Sequence, residues 1–227
     1  MARSRLTAIL TIIFLIAALC FQLIWHRHFL IFSFIIMGIA VLPYVIRFER
    51  KAIEGRELVL LAVLGAVAAV SRVPFAAFPG VQPSTFVVII SGYVFGAETG
   101  FVVGALTALV SNLFLGQGPW TPWQMAAWGL IGMIAGWLRN TWFLKALWGK
   151  LIFGFLAGFA FGWIMNLWAI AGSAGFENIK AVLGFYALSF TFDLAHALAN
   201  VFFLAVFSRG WIKILTRFKR KYGLMEV

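Results

Sequence analysis

Tyr186, Ser189, Asp193, His196 and Asn200 recur at spacings of 3, 4, 3 and 4 inside an otherwise apolar run. Residues three and four apart share a helical face, so a helix here would carry all five as one polar stripe. A carboxylate and an imidazole one turn apart can move a proton, supply two metal ligands, or hydrogen-bond a small polar molecule. A metal centre needs more than Asp193 and His196, and the remaining histidines, His26 and His28, lie in a distant segment. An intramembrane enzyme acting on a lipid or polyprenyl substrate through Asp193 and His196 is one alternative. Such chemistry ordinarily draws on more than one intramembrane carboxylate, and the apolar runs here offer only Asp193. The stripe therefore reads first as the wall of a ligand cavity. The bland reading is a structural network in which Asp193 neutralises Arg72.

Two segments rich in proline and aromatic residues are placed to complete such a cavity. One is Val73-Pro74-Phe75-Ala76-Ala77-Phe78-Pro79-Gly80-Val81-Gln82-Pro83, and the other Gly116-Gln117-Gly118-Pro119-Trp120-Thr121-Pro122-Trp123-Gln124. Proline stiffens them, while Trp, Gln and Thr set flat apolar faces beside hydrogen-bonding groups, as small-molecule sites require. Tryptophans at a membrane interface are the competing explanation. The candidate binding residues are Arg72, Gln82, Asn112, Gln117, Trp120, Trp123, Gln124, Asn166, Tyr186, Asp193 and His196. No GxxxxGK[ST] loop is present, which excludes ATP hydrolysis by that route, and neither H-E-x-x-H, G-x-S-x-G nor paired cysteines occur. No catalytic residue, metal site or covalently bound cofactor is expected.

The elements that would hold these residues are set by composition. Hydrophobic residues form 63% of the 227 and charged ones only 11%, and mean hydropathy is +1.01. A soluble domain carries roughly a quarter charged residues, so the chain reads as an all-α integral membrane protein. Apolar runs mark eight spans, at about 6–24, 29–46, 58–74, 85–95, 100–115, 123–138, 151–171 and 183–207. The fourth is short and parted from the fifth only by Gly96-Ala97-Glu98-Thr99, so the two could form a tight hairpin or a partly re-entrant pair. The basic start followed by an apolar run resembles a signal peptide, but its length and the missing small-residue cleavage site favour a retained helix. Cys20 has no partner for an internal disulfide.

The net charge of +11 does not mark a nucleic-acid binder, because the cations lie between and beyond the apolar runs. With both termini in the cytoplasm, the inner segments hold Arg3, Arg5, Arg47, Arg50, Lys51, Arg56, Arg139, Lys145, Lys150, Arg209, Lys213, Arg217, Lys219, Arg220 and Lys221, which is 15 of the 18. Only Arg27, Arg72 and Lys180 fall elsewhere. Residues 1–56 form a two-helix hairpin, and residues 57–227 a six-helix core that carries the unusual chemistry.

Small residues recur every fourth position: Gly154, Gly158 and Gly162, continued by Asn166; Gly132 and Gly136; Gly104 and Ala108, continued by Asn112; and the pairs Ala62/Ala66 and Gly65/Ala69. Such faces let helices approach closely in lipid. Packing within the bundle explains most of them, while Ala62/Ala66 could equally dock another membrane subunit.

Ser71-Arg72-Val73-Pro74, Gln82-Pro83-Ser84, Gly92-Tyr93-Val94-Phe95-Gly96 and above all Gly116-Gln117-Gly118-Pro119-Trp120-Thr121-Pro122-Trp123-Gln124-Met125 resemble the substrate-binding membrane subunit, or S component, of energy-coupling factor (ECF) vitamin transporters. Ala62-x-x-x-Ala66 is similar to that family's docking motif for its coupling subunit. The resemblance covers about residues 57–227 and is nearest the cobalamin-specific subgroup called CbrT, whose relatives were also assigned to queuosine precursors. It implies uptake of a vitamin, cobalamin or a related corrinoid, with a queuosine precursor as the alternative. It also implies a membrane coupling subunit (EcfT-like), two ATPase subunits, toppling of the S component during transport, and residence in the bacterial plasma membrane. The hairpin 1–56 departs from the six-helix pattern.

Overall fold

The structure is a computed structural model that describes residue 35, residues 55–173 and residues 178–224. All but a few residues of the expected hairpin 1–56, and with them the first two expected spans, lie outside this set. The described residues form seven α-helices and no strand. These are α1 (Gly55–Val70), α2 (Ser84–Phe95), α3 (Ala97–Leu115), α4 (Thr121–Leu138), the single turn α5 (Trp142–Lys145), α6 (Leu147–Gly172) and α7 (Ile179–Tyr222), with a 3₁₀ turn at Val73–Phe75. Each of the six expected core spans overlaps one of these helices, although the first ends at Val70 rather than 74 and the last runs on to Tyr222. Four segments, Gly55–Phe75, Ala97–Leu115, Leu147–Gly172 and Ile179–Tyr222, are long and apolar enough to cross a membrane.

The short helix α2 is the centre of the bundle. Eleven of its 12 residues are buried, all but Tyr93, and it packs against α1, α3, α4, α6 and α7. Burial on all sides explains why its sequence is apolar all round rather than on one stripe. At about 1.5 Å per residue it spans only ~18 Å, less than the ~30 Å hydrocarbon thickness. It joins α3 through Gly96 alone, at φ 109° and ψ 176°. Only glycine adopts this conformation readily, and the Arg139 guanidinium lies 3.0 Å from where a Cβ would stand. The two helices pack against each other directly through this one-residue junction.

Glycines bring the helix backbones into contact. A Cβ on Gly100 would overlap the Gly132 carbonyl, one on Gly104 the Trp128 carbonyl, and one on Gly136 the backbone of Ala97, which locks α3 against α4 along most of their length. Likewise α6 and α7 run antiparallel, with Gly154 facing Leu204 and Asn200, Gly158 facing Ala197, and Gly162 facing Asp193. The small stripe of α6 therefore receives the polar stripe of α7. On α1, Gly65 and Ala69 are buried, with Gly65 against Leu106, whereas Ala62 and Ala66 are exposed on the opposite side among Val59, Val63, Val67 and Val70.

Segments 71–83 and 116–120, with the start of α7, gather at one end of the bundle, here the loop end. Gly96, Arg139, α5 and the last turns of α7 lie at the other, basic end. Helix α7 has 44 residues and runs about 66 Å. It starts at Asn178, whose Oδ1 accepts from the backbone N–H of Lys180 and Ala181. Near its finish Lys219 donates to the Val94 carbonyl at 3.2 Å, pinning the helix to the end of α2.

Candidate functional site

Arg72 follows α1 and opens the 3₁₀ turn, which carries its side chain inward at the loop end. It is buried, at 8% exposure. Its Nη1 donates to Ser111 Oγ and to Asn112 Oδ1, the latter at 3.3 Å, and the guanidinium lies 4.7 Å from the Trp128 ring centroid. Asn112 passes the network on: its Nδ2 donates to Gln124 Oε1 at 2.7 Å and to Thr121 Oγ1 at 2.9 Å. Thr121 donates in turn to Gln117 Oε1 at 2.9 Å, and Gln117 Nε2 donates to the Leu109 carbonyl at 2.8 Å. Six side chains from the 3₁₀ turn, α3, the 116–120 turn and α4 thus form one connected network that shapes the 116–120 turn.

Two further networks sit beside it. Thr85 on α2 pairs with His196 Nε2 at 2.7 Å and accepts from Trp128 Nε1 at 2.9 Å, while Phe161 packs on both the His196 and Trp128 rings. Trp128 therefore links the Arg72 network to this one. Between α6 and α7, Asn166 Nδ2 donates to Ser189 Oγ at 2.6 Å, and Ser189 donates to Asp193 Oδ2 at 3.0 Å. Among the described residues no ion pair joins Arg72 to Asp193, so the alternative in which Asp193 neutralises Arg72 is not the arrangement seen. The two groups belong to separate networks on different helix pairs.

A cavity of about 260 Å³ opens beneath the 71–83 segment. Arg72, Phe75, Phe78, Pro79, Gln82 and Leu115 are in its wall. Gly80 at φ +80° seats this segment on α7: a Cβ there would come within 2.7 Å of both the Ala195 Cβ and the Phe192 carbonyl. Two buried polar atoms of the wall residues have no hydrogen-bond partner, Arg72 Nε and Gln82 Oε1.

The expected site residues divide accordingly. Arg72 and Gln82 line the cavity, and Asn112, Gln117 and Gln124 are tied to Arg72 through hydrogen bonds. Asp193 and His196 are buried between helices, as is Asn166, and Tyr186 packs edge-on against Trp163. Trp120 meets Trp168 of α6 edge-on at 5.9 Å. Trp123 has 0% exposure; it is a core residue rather than a lid on the mouth. Gln117 is exposed and satisfied within its own turn. Sequence reasoning missed Ser111, Thr121, Thr85 and Trp128. Spacing carried a signal for two of them, because Thr121 and Trp128 lie three and four residues from Gln124 on one face of α4. Among the described residues no group of His, Cys, Asp and Glu could hold a metal ion.

No curated protein and no solved structure matches the chain. A family model does, that of the ECF transporter substrate-specific component, over residues 56–218. That range takes in every described helix from α1 to all but the last turn of α7, and it includes the Arg72 network, the cavity and the polar stripe. The chain is a multi-pass membrane protein with no strand among its described residues, and it belongs to the family of substrate-specific components of ECF transporters, which are substrate-binding transport subunits rather than enzymes.

Proposed function

We propose that this chain captures a vitamin-like micronutrient at its loop end and docks on an EcfT-like coupling subunit that carries two ATPases. The observation that supports a binding site there is the 260 Å³ cavity whose lining includes Arg72 and Gln82, two residues that each keep one buried polar atom, Nε and Oε1, without a hydrogen-bond partner. Buried polar atoms in folded proteins are almost always partnered, so two such residues side by side on one wall support an occupant that reorders them. The loop end faces outward in this reading, because the basic end carries the cations that favour the cytoplasm. Asp193, His196 and Asn166 would brace the floor, and Trp120 would flank the mouth. Ala62 and Ala66, exposed on α1, would seat the coupling subunit, and toppling of the bundle would deliver the ligand.

The resemblance to the cobalamin-specific subgroup supports cobalamin or a related corrinoid as that ligand. The cavity volume favours a second reading. A cavity of about 260 Å³ suits a small heterocycle of the queuosine-precursor class, whereas a corrinoid would extend beyond it through its open side. Thermal-shift titration of the detergent-solubilised chain with cobalamin and with a queuosine precursor separates the two. Stabilisation by one of them identifies the ligand class. A folded protein that answers to no water-soluble vitamin, and whose expression leaves vitamin uptake by cells unchanged, rules out the proposed function.

A further inference from the structure

Arg72 combines three properties that rarely coincide. Its side chain is more than nine-tenths buried. Its hydrogen-bond acceptors, Ser111 and Asn112, and the ring it lies over, Trp128, are all uncharged. Its Nε–H has no acceptor, and the residue forms part of the cavity wall. A buried charge needs an opposite charge or a full set of hydrogen bonds. Among the described residues no carboxylate forms an ion pair with Arg72, and Asp193, the acidic group on the polar stripe, is engaged by Ser189 and packed on Gly162. His196, held by Thr85, cannot supply a negative charge. The guanidinium is a planar fork suited to carboxylate and phosphate oxygens, and here only Nη1 is fixed, by Ser111 and Asn112, while the buried Nε has no acceptor. Gln82 on the same wall leaves an acceptor open.

We propose that the ligand presents an anionic oxygen, from a carboxylate or a phosphodiester, to Arg72, and a neighbouring N–H or O–H to Gln82 Oε1. This rests on the reading of the cavity as the transport site and adds the charge class of its ligand. A small vitamin acid supplies the carboxylate, and a complete corrinoid supplies the phosphodiester of its nucleotide loop. An aminomethyl heterocycle of the queuosine-precursor kind supplies neither and would place a cation beside Arg72.

The test uses the full chain in detergent and two matched probe pairs within a panel of water-soluble vitamins: nicotinate with nicotinamide for the carboxylate, and cobalamin with cobinamide, which lacks the phosphodiester. The result expected is that stabilising compounds fall among the anionic members, and that Arg72→Gln weakens their binding at least tenfold while Arg72→Lys retains part of it. The ligand-free Arg72→Gln protein should melt at or above the wild-type temperature, because an uncompensated buried charge has been removed. Ligand-free melting well below wild type assigns Arg72 a structural role and overturns the inference. So does a neutral or cationic compound that binds as tightly as its anionic counterpart and is indifferent to Arg72→Gln, an outcome that leaves the transport function standing. A folded wild-type chain stabilised by no member of the panel removes the transport reading and this inference together.

Discussion

A guanidinium inside a membrane bundle costs about 2.5 kcal/mol or more on insertion scales, and the neutral partners of Arg72 offset only part of that cost, since its Nε has no acceptor. Its hydrogen bonds to Ser111 and Asn112, its position over Trp128, and the onward bonds to Gln124, Thr121 and Gln117 spread one charge over α3, α4 and the 116–120 turn. Thermodynamic coupling should follow that network. In a double-mutant cycle on thermal or denaturant stability, Arg72→Gln and Asn112→Ala should show an interaction energy of roughly 0.5–3 kcal/mol, whereas Arg72→Gln and Asp193→Asn should add within about 0.5 kcal/mol. Strong coupling in the second cycle would restore the Arg72–Asp193 pair and contradict the geometry described here. Arg72 and the Gln117–Gln124 turn were visible in the sequence as rare polar groups in an apolar chain. Most of their partners were not, because a Ser or Thr in a helix can return its hydroxyl to the preceding turn, as Ser91 and Thr107 do, and nothing in the sequence tells those apart from Thr85 or Ser111.

At the scale of elements, the same four-residue spacing of small residues serves two purposes. On α3, α4 and α6 the glycines face a neighbouring backbone with no room for a Cβ, so Gly158→Leu should prevent correct folding, seen as loss of monodisperse protein in gel filtration. On α1, Ala62 and Ala66 face outward, so the double change Ala62→Leu and Ala66→Leu should leave the isolated chain folded and ligand-competent. It should cut co-purification with the coupling subunit severalfold by holding helices apart. Wild-type co-purification by that variant would make this face something other than the docking site. The 71–83 segment makes its own prediction. Gly80 needs both a positive φ and an absent Cβ, so Gly80→Val should unseat the segment from α7. Ligand dissociation measured by stopped flow or filter binding should then accelerate by about tenfold or more, with the helical content in circular dichroism unchanged. An unaltered off-rate would mean that this segment does not cover the ligand.

For the molecule as a whole, orientation is the prediction that every functional statement leans on. The charge asymmetry predicts that the loop end lies outside and the basic end in the cytoplasm. In a Cys20→Ser background, a membrane-impermeant maleimide added to intact cells should label a cysteine at Gly118 and not one at Phe143, and lysis should expose the second. Labelling of position 143 from outside would invert the topology and with it the proposed direction of transport.

The six longer helices from residue 55 onward were legible in the sequence because each contains an apolar run, and hydrocarbon permits no backbone alternative; the single turn α5 and the basic end of α7 beyond 207 were not. The stripe spacing of Tyr186 to Asn200 was legible for the same reason: once a helix is assured, spacing alone sets the face. What a face meets is a property of the assembled bundle. Only the tertiary structure decided that α6 glycines receive the Asp193 stripe, that Trp123 is core while Arg72 and Gln82 line the cavity, and that Asp193 and Arg72 stand in separate networks. Each of these depends on the rotation and register of one helix against another, set by contacts far apart in sequence such as Gly100 with Gly132 and Gly158 with Ala197, and an apolar run carries no record of which neighbour will fill it.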